Sequence, residues 1–532
     1  VGSSGSELAS RQTRHRSPML RRDFLSHLSA FGVALAGLPR FPLWLRPRFQ
    51  SSPFSLGVAS GDPTPDGVVL WTRLAPDPLN GGGMPAEGVE VRWELAADDA
   101  MRQVVRQGSA IARPDLAHSV HAEIDGLEPA RWYWYRFTVG GDASPIGRTR
   151  TAPAAGTTPE RLRFAFVSCQ HYEQGHYTAY RHLAGEDLDL VAHLGDYIYE
   201  RATNPNAPAQ AIVRRHPGEE TTDLRTYRHR YALYKSDPHL RAAHQAFPWI
   251  VTWDDHEVAN NYADGVSQDA QPPERFLARR AAAYQAYYEH QPLRRASIPK
   301  GPDMLLYRTL AFGSLARFHV LDTRQYRADQ ACGDGNRIPC PEWNDPARSM
   351  LGATQERWLT EQVRRSSARW SVLAQQVSFI SVPNPSRPDL VYMDGWSGYP
   401  VARDRLIDFM ASQRERNFVV LTGDIHASFV MDVNRRANDT ATPVMGTEFM
   451  GTSISSGGDG AERWPTLQAY ETTVPAMRWH SARRGYARCE LTPRQWRTEY
   501  RVVPFVRQPD APVETKASFV VQAGRPGVNR DG

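Results

Sequence analysis

The fold the sequence predicts is an α+β to α/β protein in two parts, a small β-sandwich of fibronectin or immunoglobulin type followed by a larger β-sheet core flanked by helices. Three observations predict it. Residues 54–152 alternate apolar and polar side chains with no amphipathic helix between them, the pattern of half-buried strands. Residues 151–160, TAPAAGTTPE, form a Pro/Gly/Thr linker,. Beyond it, short uncharged runs recur with helical stretches between several of them, the texture of layered strands and helices. At 532 residues the chain exceeds one ordinary core, so two domains or one large decorated one are expected.

Residues 1–18 precede Met19 and read as a tag or a misplaced start. Residues 19–36 carry Arg21-Arg22, then Phe24-Leu25, a modest apolar stretch and Ala34-Leu35-Ala36. That order of charge, apolar run and small residues is an export signal, and the arginine pair points to the twin-arginine route. The stretch is too short and polar to span a bilayer, and no other segment reads as a transmembrane anchor. In the sandwich (54–152), DGVVLWTRL and VEVRWELA alternate, and HSVHAEIDGLEPARWYWYRFTV reads as two strands around a turn. The larger part (160–505) holds the apolar runs LRFAFVSC, LDLVAHLGD, FPWIVTWDDHE, SLARFHVLDTR, ARWSVLAQQV and NFVVLTGDIH. Helices are expected at 274–290, where Phe276, Arg280, Tyr284 and Tyr287 recur at helical spacing, and at TQERWLTEQVRR,. Residues 506–532 are expected as a C-terminal tail.

Hydrophobic residues at 41% and charged residues at 23% exclude a disordered chain,. Of the 63 basic residues only Lys235, Lys300 and Lys516 are lysine, and the arginines are scattered rather than striped. That argues against a nucleic-acid partner, which calls for a concentrated basic face. Cys332 and Cys340 bracket the short polar loop CGDGNRIPC, well suited to a disulfide, whereas Cys489 reads as a buried thiol in a strand,.

The chemistry gathers where strands end. Cys169 follows one run; Asp196 and Tyr199 follow the second; Asp254, Asp255 and His256, with Asn260 and Asn261, follow the third; Asp424 and His426 follow another. A single strand-end aspartate is usually a turn former, and WDDHE alone could cap a helix. Four such ends deliver ionisable groups to one rim, where ligands of layered α/β proteins collect. Burying them is unfavourable unless they pair or bind a cation, so a metal site is the economical reading.

In order along the chain, SCQ, LGDYIYE, WDDHEVANNY, LDTRQYR, WSVLAQQV, DGWSGYP, LTGDIHAS and GTSISSGG resemble the PhoD-type alkaline phosphatases, a branch of the calcineurin-like metallophosphoesterases. The resemblance covers residues 54–505 and implies a metallophosphoesterase-type core. It implies Cys169 as a ligand where ordinary members carry Asp-x-His, Asp196 as the bridging carboxylate, and Tyr199 as a phenolate on ferric iron. Asp255-His256-Glu257 resembles the Asn-His-Asp/Glu element, with Asn260 or Asn261 supplying the missing amide. Asp424 and His426 resemble the final Gly-His-x-His; no counterpart of the family's separate ligand histidine is seen. The cofactor set implied is Fe3+ with one or two Ca2+. Exchange of histidine for aspartate agrees, since it hardens a site toward oxygen-loving cations.

The reaction expected is hydrolysis of phosphate monoesters. His256 is the candidate proton donor, with support of the ligands from behind as its alternative. Asp196 holds the ions together, and Arg324 serves as a phosphate grip or, on the competing reading, a structural ion pair. A phosphodiesterase or phospholipase-D-like hydrolase acting on phospholipids or other diesters is the second reading. The third is an exported binding or adhesion protein with structural metals. The expected partners are small phosphate esters and, during export, the twin-arginine translocase; the expected location is periplasmic or secreted.

Overall fold

Period-two alternation decides which face each strand of the core presents. Phe164 and Phe166, Ala192 and Leu194, and Ile250 point into one cluster that also takes Phe318, Val372, Ala374, Val419 and Leu421. The intervening Ala165, Val167, Val191, Trp249 and Val251 pack instead with Tyr180, Tyr231, Leu240 and Tyr284 of four helices, Thr178–Ala184, Leu224–Lys235, Pro238–Ala246 and Pro273–His290. Leu373, Phe418 and Val420 likewise face Leu359, Val363, Leu406 and Ile407 of the helices Gly352–Arg365 and Pro400–Ser412. The core is therefore helix, sheet, sheet, helix. Strands covered on both faces are apolar throughout, which is why they read as continuous runs. The computed structural model describes residues 49–381, 386–413, 415–463 and 474–531. The export signal expected at 19–36 and the segment before it lie outside the described residues.

In one sheet Leu190–Leu194 lies parallel between Leu162–Val167 and Pro248–Thr252. In the other, Ala316–Val320, Trp370–Ala374, Asn417–Thr422 and Val444–Met450 are successive parallel neighbours. The long strand Met477–Leu491 joins the two, pairing with Leu162–Val167 and with Ser428–Asn434. It buries Cys489, as expected.

The front region 54–152 is all strand apart from one 3-10 turn at Pro114–Leu116. Its two sheets share a core of Val58, Val68, Leu70, Val91, Leu95, Tyr135 and Phe137. It is not set apart by its linker, because Val58–Thr64 pairs in parallel with Pro248–Thr252 of the core, and residues 49–532 form one compact unit. Residues 506–532 correct the expectation of a tail. Glu514–Gln522 pairs with Gln495–Val503 and Arg525–Arg530 with Glu514–Gln522, burying Phe519 and Val521. The segment is a hairpin of the sheet; its apolar residues are few and its strand signal is short. No helix among the described residues is long and apolar enough to cross a membrane.

Candidate metal centre

Because Leu162–Val167, Leu190–Leu194 and Pro248–Thr252 run parallel in one sheet, and Ala316–Val320, Trp370–Ala374 and Asn417–Thr422 in the other, the carboxyl ends of each set gather on one side, at a rim. Backbone bonds knit that rim. Cys169 N–H donates to Gly195 O and Gln170 N–H to Asp196 O, both at 3.1 Å. Gly195 is needed there: it has φ +102°, and a Cβ on it would lie 2.4 Å from Asp254 Cβ, so any larger residue would push two ligand-bearing loops apart. Cys169, Asp196, Asp424 and His426 have left-handed backbones, with φ of 58°, 56°, 60° and 55°. Strain of this kind persists where the surroundings impose it and gathers at functional sites.

The rim brings the expected residues into three overlapping groups, each with ligand atoms within 4.8 Å of one another: Cys169, Asp196 and His426; Asp196, Asp255 and His256; and Asp254, Asp255 and Asp424. Asp196 belongs to two of them, and so does Asp255. Tyr199 completes the first group. Its hydroxyl donates to Asp196 Oδ2 at 2.9 Å, lies 3.0 Å from His426 Nε2 and accepts from Ser456 Oγ at 2.7 Å.

The donor set fits cations. Asp196 Oδ1, Asp254 Oδ2 and Asp255 Oδ1 are buried with no hydrogen-bond donor among the described residues, a costly state that a bound cation relieves. Burial drives Asp196 and Asp424 well above the ordinary carboxylate range, and the neighbouring carboxylates add to it. Burial likewise raises the Cys169 thiol and the Tyr199 phenol, with Asp196 adding to each. Burial, aided by Arg484, pushes His426 down to about 3, leaving the neutral imidazole that ligation requires,.

Two buried glutamates organise the rim, and the sequence analysis gave neither a role. Glu257 accepts the backbone N–H groups of Asp196 (3.1 Å), Tyr197 (2.5 Å) and Asp254 (2.7 Å), so one side chain clamps two ligand loops. Glu200 accepts from His256 Nδ1 at 2.7 Å and from Asn260 N–H at 3.0 Å. Burial opposes the charge of His256, but Glu200, Asp255 and Asp196 outweigh it and hold the imidazolium well above its usual range. Both glutamates lie inside quoted motifs, but their bonding partners are set by loop geometry that spacing does not reveal.

Two further expected residues have partners that bear on their roles. Arg324 is fully buried and turned onto carboxylates: Nε on Asp254, Nη1 on Asp394 at 2.8 Å, Nη2 3.6 Å from Asp255. Nε and Nη1 are taken by acids, which favours the ion pair over the phosphate grip, while Nη2 has no hydrogen-bond partner among the described residues,. Asn260 turns its amide nitrogen to Gln268 Oε1 at 2.7 Å. The neighbouring Asn261 is the one tied to the centre, its N–H donating to Asp255 Oδ2 at 2.7 Å.

A helix–sheet–sheet–helix scaffold with strained acids, a thiol and imidazoles at the carboxyl rim defines a class of metal-binding α/β enzymes. Residues 164–500 match the family described as PhoD-like phosphatase, and residues 41–153 match the PhoD-like phosphatase N-terminal domain. Alkaline phosphatase D of Bacillus subtilis (strain 168) is 52% identical over 503 residues, covering 94% of this chain and 86% of that one. A solved structure described as "Structure of PhoD" superposes with a TM-score of 0.89 at 52% identity, over 91% of this chain and 93% of the other. The chain belongs to the PhoD-like phosphatase family. It is a phosphoric ester hydrolase whose substrates are small phosphate esters.

Proposed function

We propose that this chain is an exported alkaline phosphatase that hydrolyses phosphate monoesters at an iron–calcium centre. The observation that carries the reading is the sharing of Asp196 and Asp255 among three ligand groups, which suits adjacent cations linked by common carboxylates. Cys169, Asp196, Tyr199 and His426 would hold the iron, since thiolate and phenolate supply charge to a high-valent transition metal. Asp196, Asp254, Asp255, Asp424 and Asn261 would hold calcium. Bound there, the cations supply Lewis-acid stabilisation of charge on the phosphoryl oxygens.

The chain's own residues do the rest. Glu257 keeps the Asp196 and Asp254 loops at one spacing. Glu200 orients His256 through Nδ1, so Nε2 is the nitrogen available to give a proton to the leaving oxygen. His256 also belongs to the second ligand group. A fibronectin- or immunoglobulin-type sandwich before a metallophosphoesterase-type core is the architecture we infer. Export is supported by the arginine pair at Arg21-Arg22 and by the Cys332–Cys340 disulfide, a bond favoured in oxidising compartments.

Elemental analysis should find iron and calcium, with a violet tint that Tyr199→Phe removes. Stoichiometric zinc without iron, in protein made with ample iron, overturns the assignment. Paired chromogenic substrates should be cleaved faster as monoesters; preference for the diester makes the chain a phosphodiesterase instead. Chelation gives a further check. Without cations, burial holds Asp196 and Asp424 above the unfolded value. Acids raised in this way favour folding fully only below the unfolded pKa, about 3.9, and lose that contribution as pH rises through the folded values. Exhaustively chelated protein should therefore melt at falling temperature as pH rises above the unfolded carboxylate value. A flat or rising Tm would contradict this.

A further inference from the structure

The disulfide loop 332–340 is joined to the metal centre by a branched hydrogen-bond path. Asn261 Nδ2 sits between the two carboxylate oxygens of Asp334, at 2.9 Å from each. Asp334 Oδ2 also accepts from Gln268 Nε2 at 2.6 Å. One branch runs from Asp334 through Asn261, whose N–H donates to Asp255 Oδ2. The other runs through Gln268 to the Asn260 amide, from Asn260 N–H to Glu200, and from Glu200 to His256 Nδ1. Asn261 has φ +52°, so its turn is a strained one that needs holding. Arg327 Nη2 and Gln330 Nε2 hold its carbonyl, and Asp334 holds its side chain. The loop itself is anchored at three points: the Cys332–Cys340 bond, Met393 N–H on Gly335 O, and the pairing of Asn336 and Arg337 with Tyr392 and Val391.

We propose that Asp334 is a positioning residue that sets both Asp255 and His256, and that closure of the Cys332–Cys340 loop raises turnover by holding Asp334 in place. The proposal rests on the reading above in which Asp255 ligates and His256 donates the proton. Groups that orient a ligand or a catalytic imidazole typically matter by about 10–100-fold. Closure is a thiol–disulfide exchange with a protein disulfide. The two loop thiols become the loop disulfide, and two electrons and two protons pass to the partner, which leaves as a dithiol. The chain thus reaches full turnover only after oxidation, as suits an exported enzyme.

The test compares kcat and KM of metal-loaded wild type, Asp334→Ala, Asp334→Asn, Gln268→Ala and the Cys332→Ser/Cys340→Ser pair. The substrates are nitrophenyl phosphate and an alkyl phosphate, and bound iron and calcium are measured in each protein. Asp334→Ala should lower kcat by about 10–100-fold with KM little changed, and should lose calcium but keep iron. Asp334→Asn keeps one acceptor for Asn261 and should lose less. Gln268→Ala cuts only the His256 branch, so its loss should fall on the alkyl phosphate and spare nitrophenyl phosphate. A phosphine reductant should bring the wild type to the level of the serine pair and leave the serine pair unchanged. Wild-type kcat and calcium in Asp334→Ala, or a serine pair as active as the oxidised wild type, overturns the proposal. If Asp334→Ala does not fold, Gln268→Ala decides, because Gln268 is exposed; equal kcat on both substrates then refutes the His256 branch. If His256→Ala itself shows no leaving-group dependence, it is the proposed function that fails, while calcium loss in Asp334→Ala still reports the Asp255 branch.

Discussion

Asp196→Asn is expected to abolish turnover, by more than about a thousandfold, or about 4 kcal/mol of transition-state stabilisation, while the fold survives. Asp196 is common to the groups containing Cys169 with His426 and Asp255 with His256. Its Oδ2 accepts the Tyr199 hydroxyl, and its Oδ1 is buried with no donor among the described residues. Asparagine preserves the shape and the left-handed turn that Asn tolerates. On the proposed reading it would remove a charge shared by adjacent cations and set an amide N–H in the place of a carboxylate oxygen. Backbone geometry should hold, since the clamp on this loop is Glu257 accepting the residue's own N–H. Unchanged circular dichroism, a folded melt and loss of the bridged metal should accompany the lost kcat. Retention of a tenth of wild-type activity would reduce Asp196 to a turn former.

How much of this was legible in the sequence follows from what each residue does. The core strands read correctly because both faces of Leu190–Leu194 or Asn417–Thr422 are covered, so the runs stand out as apolar and end abruptly in acids. Cys169, Asp196, Tyr199, Asp255, Asp424 and His426 are nominated by where they stand, at the ends of those runs. One of those ends holds a left-handed backbone at both named residues, Asp424 and His426, which a sequence does not display. Asn260 and Asn261 could not be separated, because neighbours in a tight turn point in different directions and only the turn decides which one reaches Asp255. Arg324 was open between phosphate and ion pair until Asp394, seventy residues further on, proved to be its partner. The clamping by Glu257 and the hold of Glu200 on His256 were not legible, because acceptance of backbone N–H groups, and a partner fifty-six residues away, leave no pattern in side-chain spacing. The final hairpin was missed for a different reason: Glu514–Gln522 is a sheet strand whose partner covers one face, so its apolar content is diluted to ordinary loop composition.

Replacing His256 by alanine should lower kcat by about 10²–10⁴-fold, and the loss should grow as the leaving group worsens. Nitrophenolate leaves without a proton, whereas an alkoxide needs one, so a lost proton donor is felt most with alkyl phosphates. The structure gives His256 what a donor requires. Nδ1 is engaged by Glu200 at 2.7 Å, so Nε2 faces the work. Although burial opposes it, Glu200, Asp255 and Asp196 raise the imidazolium well above its usual range. The sign of the pH dependence follows. A donor must be protonated, so kcat falls on the alkaline side as pH passes through its pKa. Glu200→Gln removes an anion that raises that pKa and should move the alkaline limb to lower pH, while His256→Ala should remove the limb. Linkage gives a second reading with the same sign. A histidine raised in the folded state stabilises fully below its unfolded pKa and loses that contribution as pH rises through the folded one. Glu200→Gln should therefore bring the alkaline loss of Tm to lower pH as well. If His256→Ala costs nitrophenyl and alkyl phosphates equally and also releases metal, His256 is a ligand of the Asp196–Asp255 group. The proton for the leaving oxygen must then come from another source.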